Sequence, residues 1–144
     1  MNDVGPLRTH NMLIRQCLAA YRCAEITGDG VEASFTSASS AVECAVAIQK
    51  AIARHNREQG GEPIQLRIGI NPGEPITEGR LFDAAVHAAF RICARAQPGQ
   101  ILVSEVVQQL VASRGFPLVN RGRVELKGLG RVRLYAVTWQ PDDA

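Results

Sequence analysis

The sequence predicts an α+β domain in which helices pack on a mainly antiparallel sheet. Two observations support this prediction. Apolar residues recur at helical spacing in some segments and alternate with polar residues in others, which is typical of amphipathic helices and half-buried strands. These segments also follow one order along the chain: helix, hairpin, helix, hairpin, helix, strand, helix, hairpin. Helices crossing one face of an antiparallel sheet fit that order.

The first half of the chain is predicted to hold two helices separated by a hairpin. Apolar residues at helical spacing after Pro6 predict the first helix. Two short apolar runs then flank the Thr27–Gly30 turn, of sequence TGDG, which is typical of a tight hairpin. Hydroxyl side chains over residues 37–40 can cap a second, long helix, which is expected to end before Gly60.

The second half is predicted to add a hairpin, a helix, a short strand, another helix and a terminal hairpin. Pro98 and Gly99 stop the first of these helices, and Ser104 is a suitable N-cap for the second. The expected ranges are 66–77, 81–96, 101–103, 105–112 and 124–139. This order is that of ferredoxin-like α+β domains.

Composition limits the classes of function. The chain has 144 residues, of which 46% are hydrophobic and 21% charged, so one soluble domain over residues 1–144 is the default. A net charge of +2 with interleaved signs gives no basic stripe for nucleic acid. No apolar run approaches the roughly 18 residues that span a bilayer, and no signal peptide is recognised, so a cytoplasmic location is expected. The four cysteines lack zinc-site spacing and are expected to be reduced core residues.

Asp29 is the first candidate functional residue. It stands between two glycines, which leave room for a bulky polar ligand to approach its carboxylate. Metal and phosphate sites are often built in this way. An Asp-Gly pair is also a common hairpin turn without any ligand. The residues alone leave both interpretations open.

Several further segments follow the Thr27–Gly30 turn in a fixed order. They are residues 33–35, 41–49, 67–74, 81–82, 86, 91–92, 98–101 and 126–128. Together they resemble the catalytic domain of the class III adenylate and guanylate cyclases, over nearly the whole chain. The resemblance implies an α+β ferredoxin-like sandwich of the nucleotidyl cyclase type that works as a homodimer.

The resemblance also implies a reaction and a set of site residues. In this family a ribose 3′-hydroxyl attacks the α-phosphate of the same nucleoside triphosphate, with Mg²⁺ or Mn²⁺. Asp29 matches one of two metal-binding aspartates. His87 and Arg91 stand where family members have an asparagine that orients the ribose and an arginine that stabilises charge at the α-phosphate. Lys127 matches a lysine that contacts the phosphates. Family sites form between subunits, so Asp29 of one chain would work with Arg91 of the other.

The sequence departs from the family pattern at several positions. The chain starts inside the helix that follows the family's first strand, so it resembles a domain truncated at its N-terminus, without the first metal aspartate. By count, Glu25 stands at the position that selects the base, where glutamate suggests guanine. Alternatively, Glu25 marks a two-residue deletion that removes this selector. Arg80 stands at the partner selector position. ATP and GTP therefore both remain open as substrates.

Two functions of different classes follow from the resemblance. The first is a nucleotidyl cyclase of weak activity in signal transduction. The alternative is a catalytically degenerate cyclase-homology domain that dimerises or binds nucleotide to regulate another protein. Interpretations without a functional role also remain open for single residues. Arg91 could be a solvated helix arginine, and Lys127 could be a lysine of a surface turn. His87 could be an interface histidine without a catalytic role.

Overall fold

A computed structural model of the chain describes residues 12–17, 35, 37–61, 63–72, 83–127 and 130–139. The described residues fall into two compact units. The first comprises those up to Leu66 together with Trp139, and the second comprises those within Arg67–Thr138. The predicted first hairpin, around Thr27–Gly30, and the predicted strand over 74–77 lie outside the described residues.

The first unit is described mainly through one long helix, α1 (Ala38–Gln59). Ser37 caps it as predicted, because its side chain accepts a hydrogen bond of 3.0 Å from the backbone N of Ser40. The helix ends before Gly60, also as predicted. Residues 12–17 are helical too, and they lie within the predicted first helix. The buried positions of α1 recur at helical spacing and are Val42, Cys44, Ala45, Ile48, Gln49 and Ile52.

Two amide side chains of α1 bind the backbone of the segment that follows the helix. Asn56 Nδ2 donates to the Ile64 carbonyl at 2.9 Å, and Asn56 Oδ1 accepts from the Ile64 N at 2.9 Å. Gln49, only 2% exposed, donates through Nε2 to the Leu66 carbonyl at 3.0 Å. Because one amide offers both a donor and an acceptor, Asn56 satisfies both backbone groups of Ile64. These bonds hold the segment along the helix.

Replacing Asn56 with leucine is therefore expected to lower the free energy of unfolding by about 1.5 kcal/mol, because both backbone groups of Ile64 lose their partner. Asn56→Asp keeps the acceptor alone and should lose less. Lys50→Leu, at an exposed position of the same helix, is the matched control. Urea unfolding measures all three variants. Equal stabilities for Asn56→Leu and Lys50→Leu would show that the amide does not anchor the segment.

The described residues of the second unit form a four-stranded sheet and two α-helices. Its elements are β1 (Ile68–Ile70), α2 (Asp83–Ala94), β2 (Ile101–Ser104), α3 (Glu105–Val111), a short 3₁₀ turn (Ala112–Arg114), β3 (Leu118–Leu126) and β4 (Gly130–Val137). The strand order is β1-β2-β4-β3. Strand β1 runs parallel to β2, whereas β2 with β4 and β3 with β4 are antiparallel. The described sheet is therefore mainly antiparallel, as predicted.

One part of the core of this unit lies between α2 and one face of the sheet. A buried cluster joins Ile92 and Ala96 to Leu102, Leu126 and Leu134. All residues of β2 are buried, which fits its place inside the sheet and its continuous apolar sequence. Ser104 ends this strand and caps α3, since its Oγ accepts a hydrogen bond of 3.4 Å from the Val107 N. Both features confirm the predicted strand, cap and helix.

Gly69 allows α2 to lie directly on β1. A Cβ at this position would stand 2.5 Å from the backbone N of Cys93 and 2.7 Å from the carbonyl oxygen of Ala89. Both distances are far shorter than normal van der Waals contact. Glycine is therefore required here by the close approach of helix and strand.

The terminal hairpin is longer than predicted, because β3 begins at Leu118 and not near residue 124. The register shifts between Asn120 and Arg123, which places an extra residue on β3. Gly122 has a φ of 88°, and its N donates to Asn120 Oδ1 at 2.7 Å. This bulge breaks the alternation of apolar and polar residues, so the first part of the strand has no strand pattern in the sequence.

The register of the hairpin also places Arg123 directly opposite Arg133. Like charges at directly opposed positions destabilise a sheet. Arg123→Glu is thus expected to raise the free energy of unfolding by about 0.5 kcal/mol. Arg121→Glu, in the bulge, makes the same charge change where no residue is directly opposed in the register, and it should change stability less. Thermal or urea unfolding at low salt measures both variants, and a destabilised Arg123→Glu would contradict the prediction.

Within the described part of the chain, no helix combines the length and the apolar character needed to cross a membrane.

Candidate functional site

The six predicted site residues divide into two groups. Asp29, Glu25 and Arg80 lie outside the described residues. Arg91 and Lys127 are described in full, and the backbone of His87 lies in α2. The described residues thus cover the predicted phosphate-binding positions.

Arg91 is held by the helix that covers the sheet. Its neighbours along the helix, Ala88 and Ile92, are both buried, whereas the Arg91 side chain is half-buried. Arg91 lies in the last turn of α2, where unpaired carbonyl groups favour a positive charge. His87 precedes it by four residues, so the two positions share one helix face. The guanidinium is planar, always charged and suited to bidentate binding of phosphate.

Lys127 lies in the turn that follows β3, with an exposed side chain. Leu126, the residue before it, belongs to the same buried cluster as Ile92, the residue after Arg91. The backbone positions of Arg91 and Lys127 are therefore each fixed by a direct neighbour in one core. Arg91 and Lys127 thus each adjoin a residue of the same buried cluster.

A hydrogen bond makes a second link between these two elements. Arg95 Nη2 donates to the Glu125 carbonyl oxygen at 3.0 Å. Arg95 follows Arg91 by one helical turn, and Glu125 precedes Lys127 by two residues. Arg95 was not predicted as a functional residue from the sequence. Its spacing of four from Arg91 was a visible signal, but the acceptor is a backbone carbonyl, which no sequence pattern marks.

Cys93 fixes the other side of α2. Its Sγ donates to the Arg67 carbonyl at 3.3 Å, beside the close contact of Gly69 with the helix. Burial raises the pKa of the Cys93 thiol above its ordinary value. The charge of Arg67 and a backbone hydrogen bond from Gly69 act in the opposite direction but are weaker. The thiol is therefore protonated at neutral pH, as a hydrogen-bond donor requires, and is not a nucleophile.

The remaining cysteines fit the prediction of reduced residues as far as they are described. Cys17, Cys44 and Cys93 form no disulfide, and Cys44 is buried. Burial raises the pKa of the Cys17 thiol as well. Cys23 lies outside the described residues. Among the residues with described positions, no group of three or more His, Cys, Asp or Glu side chains could hold a metal ion. The predicted metal ligand, Asp29, is not among them.

Comparison with known proteins identifies the family. The protein-family model described as the adenylate and guanylate cyclase catalytic domain matches residues 18–139 of this chain. A Rhizobium meliloti (strain 1021) protein named "Putative adenylate cyclase 3" is 40% identical over 120 residues, which are 81% of this chain and 20% of that protein. The guanylate cyclase soluble subunit beta-2 of Rattus norvegicus is 33% identical over 84 residues, 52% of this chain and 12% of the subunit. The chain thus spans a fifth or less of the length of these two relatives.

A solved structure extends the comparison to the fold. The crystal structure of an adenylate/guanylate cyclase/hydrolase from Silicibacter pomeroyi matches with a TM-score of 0.77 and 34% identity. The match covers 92% of this chain and 81% of that one. This likeness confirms the predicted α+β sandwich of the nucleotidyl cyclase type. The chain belongs to the family of adenylate and guanylate cyclase catalytic domains.

Proposed function

We propose that this chain is a single nucleotidyl cyclase domain that converts ATP or GTP to the 3′,5′-cyclic monophosphate and pyrophosphate. We propose further that it works as a homodimer with Mg²⁺ or Mn²⁺ and that its turnover is weak. One observation carries the proposal: Arg91 and Lys127 each adjoin a member of one buried cluster, Ile92 and Leu126 respectively. This packing supports the proposal, because the family resemblance assigns phosphate binding to both positions.

The charges of these residues suit the reaction. The O3′–Pα bond forms and the hydroxyl proton passes to solvent water, while the bond from Pα to the oxygen that bridges the α- and β-phosphates breaks and pyrophosphate leaves with the added negative charge. Arg91 donates hydrogen bonds to the α-phosphate oxygens, where charge develops in the transition state. Lys127 binds the β- and γ-phosphates as a compact positive charge. Arg91 thus acts at the reacting centre and Lys127 at the leaving group.

Asp29 is the proposed metal ligand. Carboxylate oxygens are the ligands that Mg²⁺ prefers, and Mn²⁺ accepts them too. When bound, the ion would polarise the ribose hydroxyl and neutralise the phosphates. The proposed homodimer supplies Asp29 from one chain and Arg91 from the other. Each chain alone would then hold half of each site.

His87 is the reason to propose weak turnover. It stands where the family has an asparagine, and a neutral imidazole offers a single donor in place of the two of an amide. The ribose would be oriented less firmly, and orientation contributes strongly to the rate. The same observation favours a second candidate function, a degenerate cyclase-homology domain that binds nucleotide and regulates another domain.

Product formation separates the two candidates. The chain would be incubated with Mn²⁺ and either ATP or GTP, and the cyclic nucleotide measured, because the relatives' names include both adenylate and guanylate cyclases. We expect product from the wild-type chain and a loss of about 100-fold or more in Asp29→Ala. Glu58→Ala, which removes an exposed carboxylate of α1, is the control and should match the wild type.

The remaining outcomes are equally informative. Product that persists in Asp29→Ala would contradict the metal-binding role. A wild-type chain that binds nucleotide but forms no product would support the degenerate domain over the enzyme.

A further inference from the structure

We infer that Arg95 is a positioning residue that holds the end of the helix bearing Arg91 and the strand that leads to Lys127 in a fixed relation. The inference rests on the proposed function, in which these two cations bind the phosphates of one nucleotide. It adds a residue that does not itself contact the nucleotide but sets the spacing of two that do.

The hydrogen bond from Arg95 Nη2 to the Glu125 carbonyl oxygen, at 3.0 Å, joins the two elements close to both cations. Arg95 stands directly after the end of α2, four residues and about 6 Å from Arg91. Two strand residues, about 7 Å, separate Glu125 from Lys127. The donor is the charged guanidinium of an exposed residue, and the 3.0 Å distance is that of an ordinary N–H···O hydrogen bond.

The Arg95 hydrogen bond adds a directional constraint that the apolar packing of the buried cluster does not provide. Ile92, Ala96 and Leu126 hold the helix on the sheet by apolar contact, which is non-directional and tolerates small sliding or rotation. A hydrogen bond is directional and weakens steeply when its angle departs from linear. Strand β3 also has only β4 as a neighbour within the described sheet. Arg95 therefore adds a directional link between α2 and a strand at the sheet edge.

The opposite side of α2 is already fixed. Gly69 allows β1 to contact the helix backbone at Ala89 and Cys93. The Cys93 thiol also donates a hydrogen bond to the backbone carbonyl oxygen of Arg67. Arg91 lies on the same turns of helix, between this contact and the Arg95 bond. Loss of the Arg95 bond would free only the side of α2 that faces Lys127, so the fold should persist while the spacing of the cations loosens.

The expected effect is on turnover. A misplacement of about 1 Å at a reacting centre can lower a rate by two orders of magnitude. We expect Arg95→Met to lower kcat about tenfold, with less than about a threefold change in KM for the Mn²⁺–nucleotide, because Arg91 acts mainly in the transition state. Arg95→Lys keeps the positive charge and a hydrogen-bond donor but loses the planar fork of the guanidinium. Its kcat should lie between those of the wild type and Arg95→Met.

The experiment compares wild-type chain, Arg95→Met, Arg95→Lys and the control Arg114→Met, which removes an exposed arginine from the 3₁₀ turn of the same unit. It measures kcat and KM at low and high salt, nucleotide affinity by calorimetry, and the thermal midpoint. A purely electrostatic role of Arg95 would change KM and affinity and would fade at high salt. A purely structural role would lower the thermal midpoint and leave the kcat of the folded protein unchanged.

We therefore expect a salt-independent loss of kcat in Arg95→Met, a smaller loss in Arg95→Lys and none in Arg114→Met, with the affinity and thermal midpoint of Arg95→Met close to those of Arg114→Met. Equal kcat values for Arg95→Met and Arg114→Met, or an effect confined to KM, would overturn it and leave the proposed function intact. Absence of any product from the wild-type chain would overturn the proposed function and the inference together.

Discussion

Replacing Gly69 with alanine is expected to lower the free energy of unfolding by about 3 kcal/mol or more. The added Cβ would stand 2.5 Å from the Cys93 N and 2.7 Å from the Ala89 oxygen. Both contacts are backbone atoms of α2, so no side-chain rotation can relieve the clash. The helix must move away from β1, and the packing of Ile92 against the sheet would loosen with it.

Two comparisons sharpen this test. Gly115→Ala adds a Cβ that meets nothing within 4 Å, although its φ of 84° disfavours alanine, so it should cost only about 1 kcal/mol. Cys93→Ala should fail to rescue Gly69→Ala, because it leaves the backbone N in place. Urea unfolding followed by circular dichroism measures the three variants. A Gly69→Ala protein as stable as Gly115→Ala would contradict the close approach of helix and strand.

Replacing Arg91 with alanine is expected to lower cyclic nucleotide formation by about 100-fold or more, the usual cost of removing one group that stabilises transition-state charge. Arg91→Lys should recover only part of this loss, because an ammonium cannot bind two phosphate oxygens in one plane. The fold should be retained, since the Arg91 side chain is half-buried, not buried. The stability change should stay near 1 kcal/mol or less.

Arg114→Ala is the control for Arg91→Ala, because it removes an exposed arginine of the same unit. Initial rates with Mn²⁺ and saturating nucleotide, together with thermal unfolding, separate lost chemistry from lost folding. A wild-type rate in a folded Arg91→Ala protein would remove Arg91 from the proposed site.

The elements that the sequence predicted well are those with a strong local pattern. The long helix α1 has its cap at Ser37 and its end at Gly60 where the sequence indicates them, because caps and helical periodicity are written in neighbouring residues. The early start of β3 was missed, since the bulge at Gly122 interrupts the strand pattern. The pairing register of β3 depends on its partner strand β4, so the local sequence of β3 does not predict it.

In the candidate site too, features set by local sequence could be predicted, whereas features that depend on another element could not. Arg91 and Lys127 could be named from motifs shared with the family, but their common packing through Ile92 and Leu126 could not. Ile92 and Leu126 are far apart in sequence, and their shared packing depends on the order of the strands, which local patterns do not predict. The Arg95 bond and the Gly69 contact were missed for a related reason, because both involve backbone atoms of another element.

Mixing two inactive variants tests whether the proposed cyclase site is shared by two copies of the chain. Asp29→Ala and Arg91→Ala would each be assayed alone and then after equimolar mixing with Mn²⁺ and ATP or GTP. We expect each variant alone to be nearly inactive and the mixture to recover up to about a quarter of the wild-type rate. Half of the dimers would be mixed, and each mixed dimer would keep one of its two sites. A mixture that stays inactive, although both variants fold and exchange partners and the wild-type chain turns over, would contradict a site built from two copies.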